Sequence, residues 1–113
     1  GVKDQSENIK VFSIVGKFLE HPRVFYFHNG GDAGIWLGSA DLMGRNIYRR
    51  IEVVFPVEDA TSRATIMQIL KSQLRDNLKS RVINKSQNNP YRKSKCTKPH
   101  NSQDEIYNLL KQL

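Results

Sequence analysis

The segment Asn29-Gly30-Gly31-Asp32 constrains the fold of this chain more than any other. Asn-Gly and Gly-Gly pairs reverse the backbone through positive φ, which residues with a bulky Cβ resist. Apolar runs flank it, Val24-Phe25-Tyr26-Phe27 before and Ile35-Trp36-Leu37 after. Their β-branched and aromatic side chains suit a pleated surface, so the pattern predicts two neighbouring strands joined by this turn. A third strand is predicted over Ile51-Glu52-Val53-Val54-Phe55, closed by Pro56, with Arg49 and Arg50 alternating to opposite faces just before it.

Helical periodicity occupies the rest. Val11, Ile14, Val15, Phe18 and Leu19 fall at i, i+3, i+4, i+7 and i+8, the spacing of one helix face. Asp59 is placed to cap a helix in which Ile66, Leu70, Leu74, Leu78 and Val82 recur every fourth residue, which puts Leu74 in the core. Ser102 and Glu105 have the spacing of a capping box ahead of Ile106, Leu109, Leu110 and Leu113. Strands followed by helices predict an α+β (mixed α/β) fold, a small sheet covered by the 60–82 and 103–112 helices.

A length of 113 residues allows one domain, spanning 1–113. The 38% hydrophobic and 9% aromatic content exceeds that of a disordered polycation. The single cysteine, Cys96, excludes an intramolecular disulfide and a multi-cysteine zinc site, and it fits a reducing, cytoplasmic compartment. No apolar run approaches the ~20 residues of a transmembrane helix. The first residue is not Met, so a piece of a longer chain is expected. Lys and Arg number 18 against 11 Asp and Glu, a net +7 that calls for a polyanionic partner. Residues 79–98 hold seven of those cations and no acid, around Ser86-Gln87-Asn88-Asn89-Pro90; residues 84–101 are expected to form a basic loop.

Two clusters carry candidate chemistry. His21 lies at a strand entrance two residues before Arg23, where an imidazole can act as acid, base or nucleophile on a phosphate that the guanidinium holds. Isolated His-x-Arg pairs are most often surface residues. The second cluster is Gly38-Ser39-Ala40-Asp41-Leu42-Met43-Gly44-Arg45-Asn46. Small residues at a strand end let a ligand approach the backbone, and Ser39, Arg45 and Asn46 can donate to anionic oxygens. Asp41 repels phosphate, so its role is to orient His21, Arg45 or another arginine; a capped polar turn is the bland alternative. His28 and His100 read as surface residues, and the three histidines lack metal-ligand spacing.

Ser6-Glu7-Asn8-Ile9, Ser13-Ile14-Val15-Gly16-Lys17-Phe18-Leu19-Glu20-His21, Asn29-Gly30-Gly31, Gly38-Ser39-Ala40-Asp41-Leu42-Met43 and Arg45-Asn46-Ile47-Tyr48-Arg49-Arg50-Ile51-Glu52-Val53 closely resemble the C-terminal part of bacterial polyphosphate kinase. Weaker similarity runs from Asn89-Pro90-Tyr91 to Gln103-Asp104-Glu105-Ile106-Tyr107. The chain departs from the family at Leu42, Gly44 and Tyr48, and nothing transfers to residues 84–98.

The resemblance implies half of a phospholipase D-like fold and membership of an enzyme that reversibly moves the ATP γ-phosphate onto inorganic polyphosphate. It implies that His21 is the second active-site histidine, while the histidine that becomes phosphorylated belongs to a preceding domain. Arg23 stands where the wider superfamily has the Lys of a His-x-Lys motif, and Ser39, Arg45 and Asn46 fall along the ATP and phosphate pocket wall. Magnesium would enter with ATP, on ligands outside this chain; the implied partners are ATP, ADP, polyphosphate, the preceding domains and further copies of the intact enzyme. The fragment alone is expected to be inactive. A stand-alone basic nucleic-acid-binding module built on 79–98 is the competing reading; it ranks below because no base-reading motif is present and only Tyr91 interleaves the cations. A purely structural or oligomer-contact unit is a third.

Overall fold

A computed structural model describes residues 1–93 and 98–113; residues 94–97, with Lys95 and Cys96 of the basic loop, lie outside the described residues. The fold is mixed α/β, with small antiparallel sheets and helices, and it divides into two compact units. Residues Glu20–Met67 form one, and Gly1–Leu19 with Gln68–Leu113 the other. No helix among the described residues is long and apolar enough to cross a membrane.

In the Glu20–Met67 unit, strands β2 (Val24–Phe27), β3 (Gly34–Gly38) and β4 (Val54–Pro56) form an antiparallel sheet in that order, following in sequence β1 (Val11–Ile14) of the other unit. The turn works as its sequence predicts: Asn29, Gly30 and Gly31 take φ of 45°, 63° and 109° in a short 3-10 turn. Val24 pairs with Leu37 and Phe27 with Gly34. The third strand is shorter and later than predicted. Ile51 to Val53 stay outside it, and Pro56 pairs with Trp36, which an edge strand tolerates because no ladder N–H is needed there. Helix α1 (Gly44–Arg49) was not anticipated; it makes Arg49 helical and Arg50 its C-cap, so strand alternation does not govern these two arginines. Ile35, Ala40 and Val57 supply the buried apolar residues of this unit. Helix α2 (Ala60–Arg75) starts where Asp59 Oδ2 accepts from the Ser62 N–H at 2.7 Å, as its sequence predicts. Arg63 ties the helix start to the strand ends by donating to the carbonyls of Val57 (3.2 Å) and Ala33 (2.6 Å).

In the other unit, β1 (Val11–Ile14) pairs antiparallel with β5 (Ser80–Ile83). The helix predicted from Val11 to Leu19 is therefore a strand followed by an irregular segment. Its helical spacing is coincidental: Val11, Ile14 and Val15 are β-branched, and buried Gln103 takes the backbone of Phe18, accepting from its N–H (3.0 Å) and donating to its carbonyl (2.7 Å). A side chain on Gly16 would collide with that Gln103 amide. The long helix ends at Arg75 rather than Val82, Leu74 is 61% exposed rather than core, and Val82 lies in β5. Helix α3 (Ser102–Leu110) has Asn101 as N-cap with no side-chain cap bond, so the Ser102/Glu105 capping box does not form. Both discrepancies trace partly to Asp76, fully buried, whose Oδ1 accepts from the N–H groups of Leu78 (3.1 Å), Lys79 (2.7 Å) and Ser80 (2.9 Å), and whose Oδ2 accepts from Ser102 (2.8 Å). Burial opposes ionisation of this carboxyl, but the backbone donors of Ser102, Lys79 and Ser80 outweigh it and hold it below the usual carboxylate range.

Candidate functional site

The turn leaving β3 carries Asp41 to the segment that enters β2, and there one carboxylate oxygen meets two cation-forming side chains. Asp41 Oδ1 lies 2.8 Å from His21 Nε2 and accepts from Arg23 Nε at 2.8 Å. An ionised carboxylate accepts only, so the imidazole nitrogen facing it carries a proton, and Nδ1 is left for chemistry. The His21 side chain is 66% exposed while Arg23 and Asp41 are about a quarter exposed, so the imidazole faces solvent from a part-buried base. The Arg23 hydrogen bond, followed by that from His21, draws the Asp41 carboxyl from 3.8 to about 2. Reciprocally, the Asp41 bond holds the Arg23 guanidinium above its ordinary value, with the Glu52 charge adding to it.

Glu52, which sequence reasoning passed over, organises the wall beside this cluster. It accepts from the Ser39 hydroxyl and from Asn46 Nδ2 (2.9 Å), while Ser39 Oγ accepts from the Val53 N–H (3.0 Å). The Ser39 bond is the main cause of a Glu52 carboxyl below its usual range; the Asn46 bond and the Arg50 and Arg23 charges work in the same direction against burial. Ser39 and Asn46 thus direct donors at a carboxylate. Asn46 is 3% exposed, and its Oδ1 has no partner. Arg45, one residue earlier on α1, is exposed. A carboxylate inside an otherwise apolar strand signature was the available signal for Glu52.

His28 is exposed at the start of the 3-10 turn, as expected of a surface residue. His100 is not one: its side chain is 16% exposed and its Nδ1 lies 2.8 Å from Glu105. That carboxylate also accepts from Ser72 at 2.6 Å and lines a cleft of about 550 Å³ with Lys71 and Arg75. The Ser72 bond, ahead of His100, lowers the Glu105 carboxyl. Among the described residues no three His, Cys, Asp or Glu side chains converge as metal ligands.

The family model of polyphosphate kinase C-terminal domain 2 matches residues 1–103. The chain is 46% identical over 111 residues to the polyphosphate kinase of Vibrio vulnificus, covering 98% of this chain and 16% of that protein. It is 42% identical over 112 residues to the polyphosphate kinase of Bacillus cereus, covering 99% and 16% respectively. The crystal structure of polyphosphate kinase from Porphyromonas gingivalis superposes with a TM-score of 0.88 at 47% identity, over 96% of this chain and 17% of that one. The chain spans about a sixth of the length of these relatives. A match over nearly the whole chain, in sequence and in fold alike, means that the chain belongs to the polyphosphate kinase C-terminal domain 2 family.

Proposed function

We propose that this chain is the part of a polyphosphate kinase that brings a second histidine and a fixed guanidinium to the transferring phosphoryl group. The enzyme reversibly moves the ATP γ-phosphate onto inorganic polyphosphate through a phosphohistidine held by another domain. The observation that carries the reading is Asp41 binding both His21 and Arg23 through one oxygen. Phosphoryl transfer spreads negative charge over the phosphate oxygens, so preset cations and donors lower the barrier most. Arg23 uses Nε on Asp41 and presents its remaining N–H groups to phosphate oxygens. His21, when protonated at both nitrogens, gives its Nδ1 proton to the departing ADP oxygen, and Asp41 stabilises the imidazolium while it lasts. Arg45 adds an exposed cation to the wall, and Ser39 and Asn46 set Glu52.

The described residues do not form a magnesium site: Asp41 and Glu52 are already engaged, and no third ligand joins either.

In the full-length enzyme, His21→Ala should lower polyphosphate synthesis by ~10²–10⁴-fold, the usual worth of a general acid, with an unchanged thermal midpoint. His28→Ala, at an exposed turn position, should retain wild-type synthesis. Unimpaired turnover in His21→Ala, or loss of activity through unfolding alone, overturns the assignment.

A further inference from the structure

Within the basic segment 79–98, which the site around His21 does not use, residues 80–83 and 90–92 are organised as a ribbon. One edge of β5 pairs with β1; the other meets residues 90–92 through an Arg81–Tyr91 bridge, with Val82 N–H donating to Pro90 (2.9 Å) and Arg92 N–H to Ser80 (3.0 Å). Ser13, Arg81 and Tyr91 therefore form one cross-strand row. Val15 N–H also donates to the Lys79 carbonyl at 3.2 Å, and exposed Lys79 and Lys93 each lie two residues along the chain from a member of the Arg81–Tyr91 bridge. The cross-strand row borders a cleft of about 370 Å³ lined by Ser13, Arg81, Asn88 and Asn89.

The guanidinium is held but not neutralised. Arg81 stacks on the Tyr91 ring, 3.4 Å from its centroid, and donates one N–H to the Asn89 carbonyl at 3.2 Å, which leaves most of its five donors for a ligand. Among the described residues, no carboxylate is ion-paired with Lys79, Arg81 or Lys93. Cations gathered along this ribbon without an acid repel each other until an anion arrives, and fixing Arg81 beforehand reduces the ordering cost of binding.

We propose that this ribbon face is a second binding surface for linear inorganic polyphosphate, gripping successive phosphates through Lys79, Arg81 and Lys93, with Ser13 and the Asn88–Asn89 turn as neutral donors. The ligand's identity rests on the proposed function; the anion chemistry rests on the ribbon itself. A single-stranded nucleic acid suits the face less well, because Tyr91 is the only aromatic residue in 79–98 and Arg81 already covers one of its ring faces.

The test is direct titration of the full-length protein with polyphosphate of ~100 units, with tripolyphosphate, and with single-stranded DNA of matched charge. The Lys79→Gln/Arg81→Gln/Lys93→Gln variant should bind the long chain at least ~10-fold more weakly and lose most of the preference for long chains over tripolyphosphate. Its log-log salt slope should flatten by roughly two, for three lost phosphate contacts. Lys79→Gln/Lys93→Gln, which alters only exposed lysines and so leaves the fold intact, should give a smaller loss in the same direction. Unchanged long-chain affinity and salt slope in both variants overturns the proposal, as does tighter binding of DNA than of polyphosphate that the same variants abolish. Failure of the wild-type protein to synthesise polyphosphate instead overturns the proposed function, a separate result because titration needs no turnover.

Discussion

Asp41 shows how one residue can set the state of two others. Its carboxylate is the shared acceptor of His21 and Arg23, so Asp41→Asn keeps the shape but removes the charge that orders both. Synthesis by the full-length Asp41→Asn enzyme should fall by ~10²-fold. The His21 tautomer should shift from predominantly Nε2–H toward a mixture in ¹⁵N NMR, a readout that a purely structural role would not move. The pH behaviour follows from the depressed pKa: a carboxyl at about 2 contributes stability that is fully present above its ordinary 3.8 and is lost as pH falls through the lowered value. NMR titration should find Asp41 still ionised at pH 3. Protonation near its ordinary value contradicts the geometry. Asp41 was legible in the sequence as an orienting residue, beside the alternative of a capped polar turn, because a carboxylate repels phosphate. Glu52 was not, because its Asn46 donor is brought there by a helix, α1, with no strong periodicity or cap, and its Ser39 donor by the turn leaving β3.

At the scale of elements, strands announced by local chemistry were readable and those that depend on distant partners were not. The Asn29-Gly30-Gly31 turn, β2 and β3 follow from residues next to one another in sequence. By contrast β1 carries a helical spacing, and only its pairing with β5, some seventy residues on, decides between the two. The fourth-residue apolar series of α2 runs past the helix into Leu78 and Val82 because periodicity does not register the Asp76 carboxylate that turns the chain. Asp76→Ala leaves four backbone N–H groups without their acceptor, those of buried Ser80 and Ser102 included. Hydrogen bonds to a charged group are worth ~1.5–3 kcal/mol each, so a loss of at least ~3 kcal/mol is expected in calorimetry. Leu74→Ala, at an exposed position, should cost less than ~1 kcal/mol. Equal costs for the two substitutions contradict this account. The Asp76 carboxyl is also held low, so its contribution should be present at neutral pH and disappear in acid as the group protonates.

For the whole molecule, the balance between buried and exposed apolar residues is the informative quantity. Among the described residues, Ile35, Ala40, Val57 and Ile106 are the hydrophobic residues below a tenth exposed, whereas Leu19 and Ile51 are fully exposed and Tyr48 and Leu42 reach 85% and 80%. Soluble chains rarely leave so many large apolar side chains in water, so the 113-residue chain on its own should bind a hydrophobic dye and unfold at low temperature. Its chemistry should be incomplete for a separate reason. His21 has a carboxylate partner suited to proton transfer, and the proposed function assigns the phosphorylated histidine to a different domain. Incubated alone with labelled ATP and magnesium, the chain should therefore gain no stable phosphate on His21 and make no polyphosphate. A fragment that formed phosphohistidine at His21 and extended polyphosphate would make His21 the nucleophile itself. Asp41 would then act by holding the Nε2 proton so that Nδ1 attacks, and the division of labour between two histidines would fail even though the fold and the family stand.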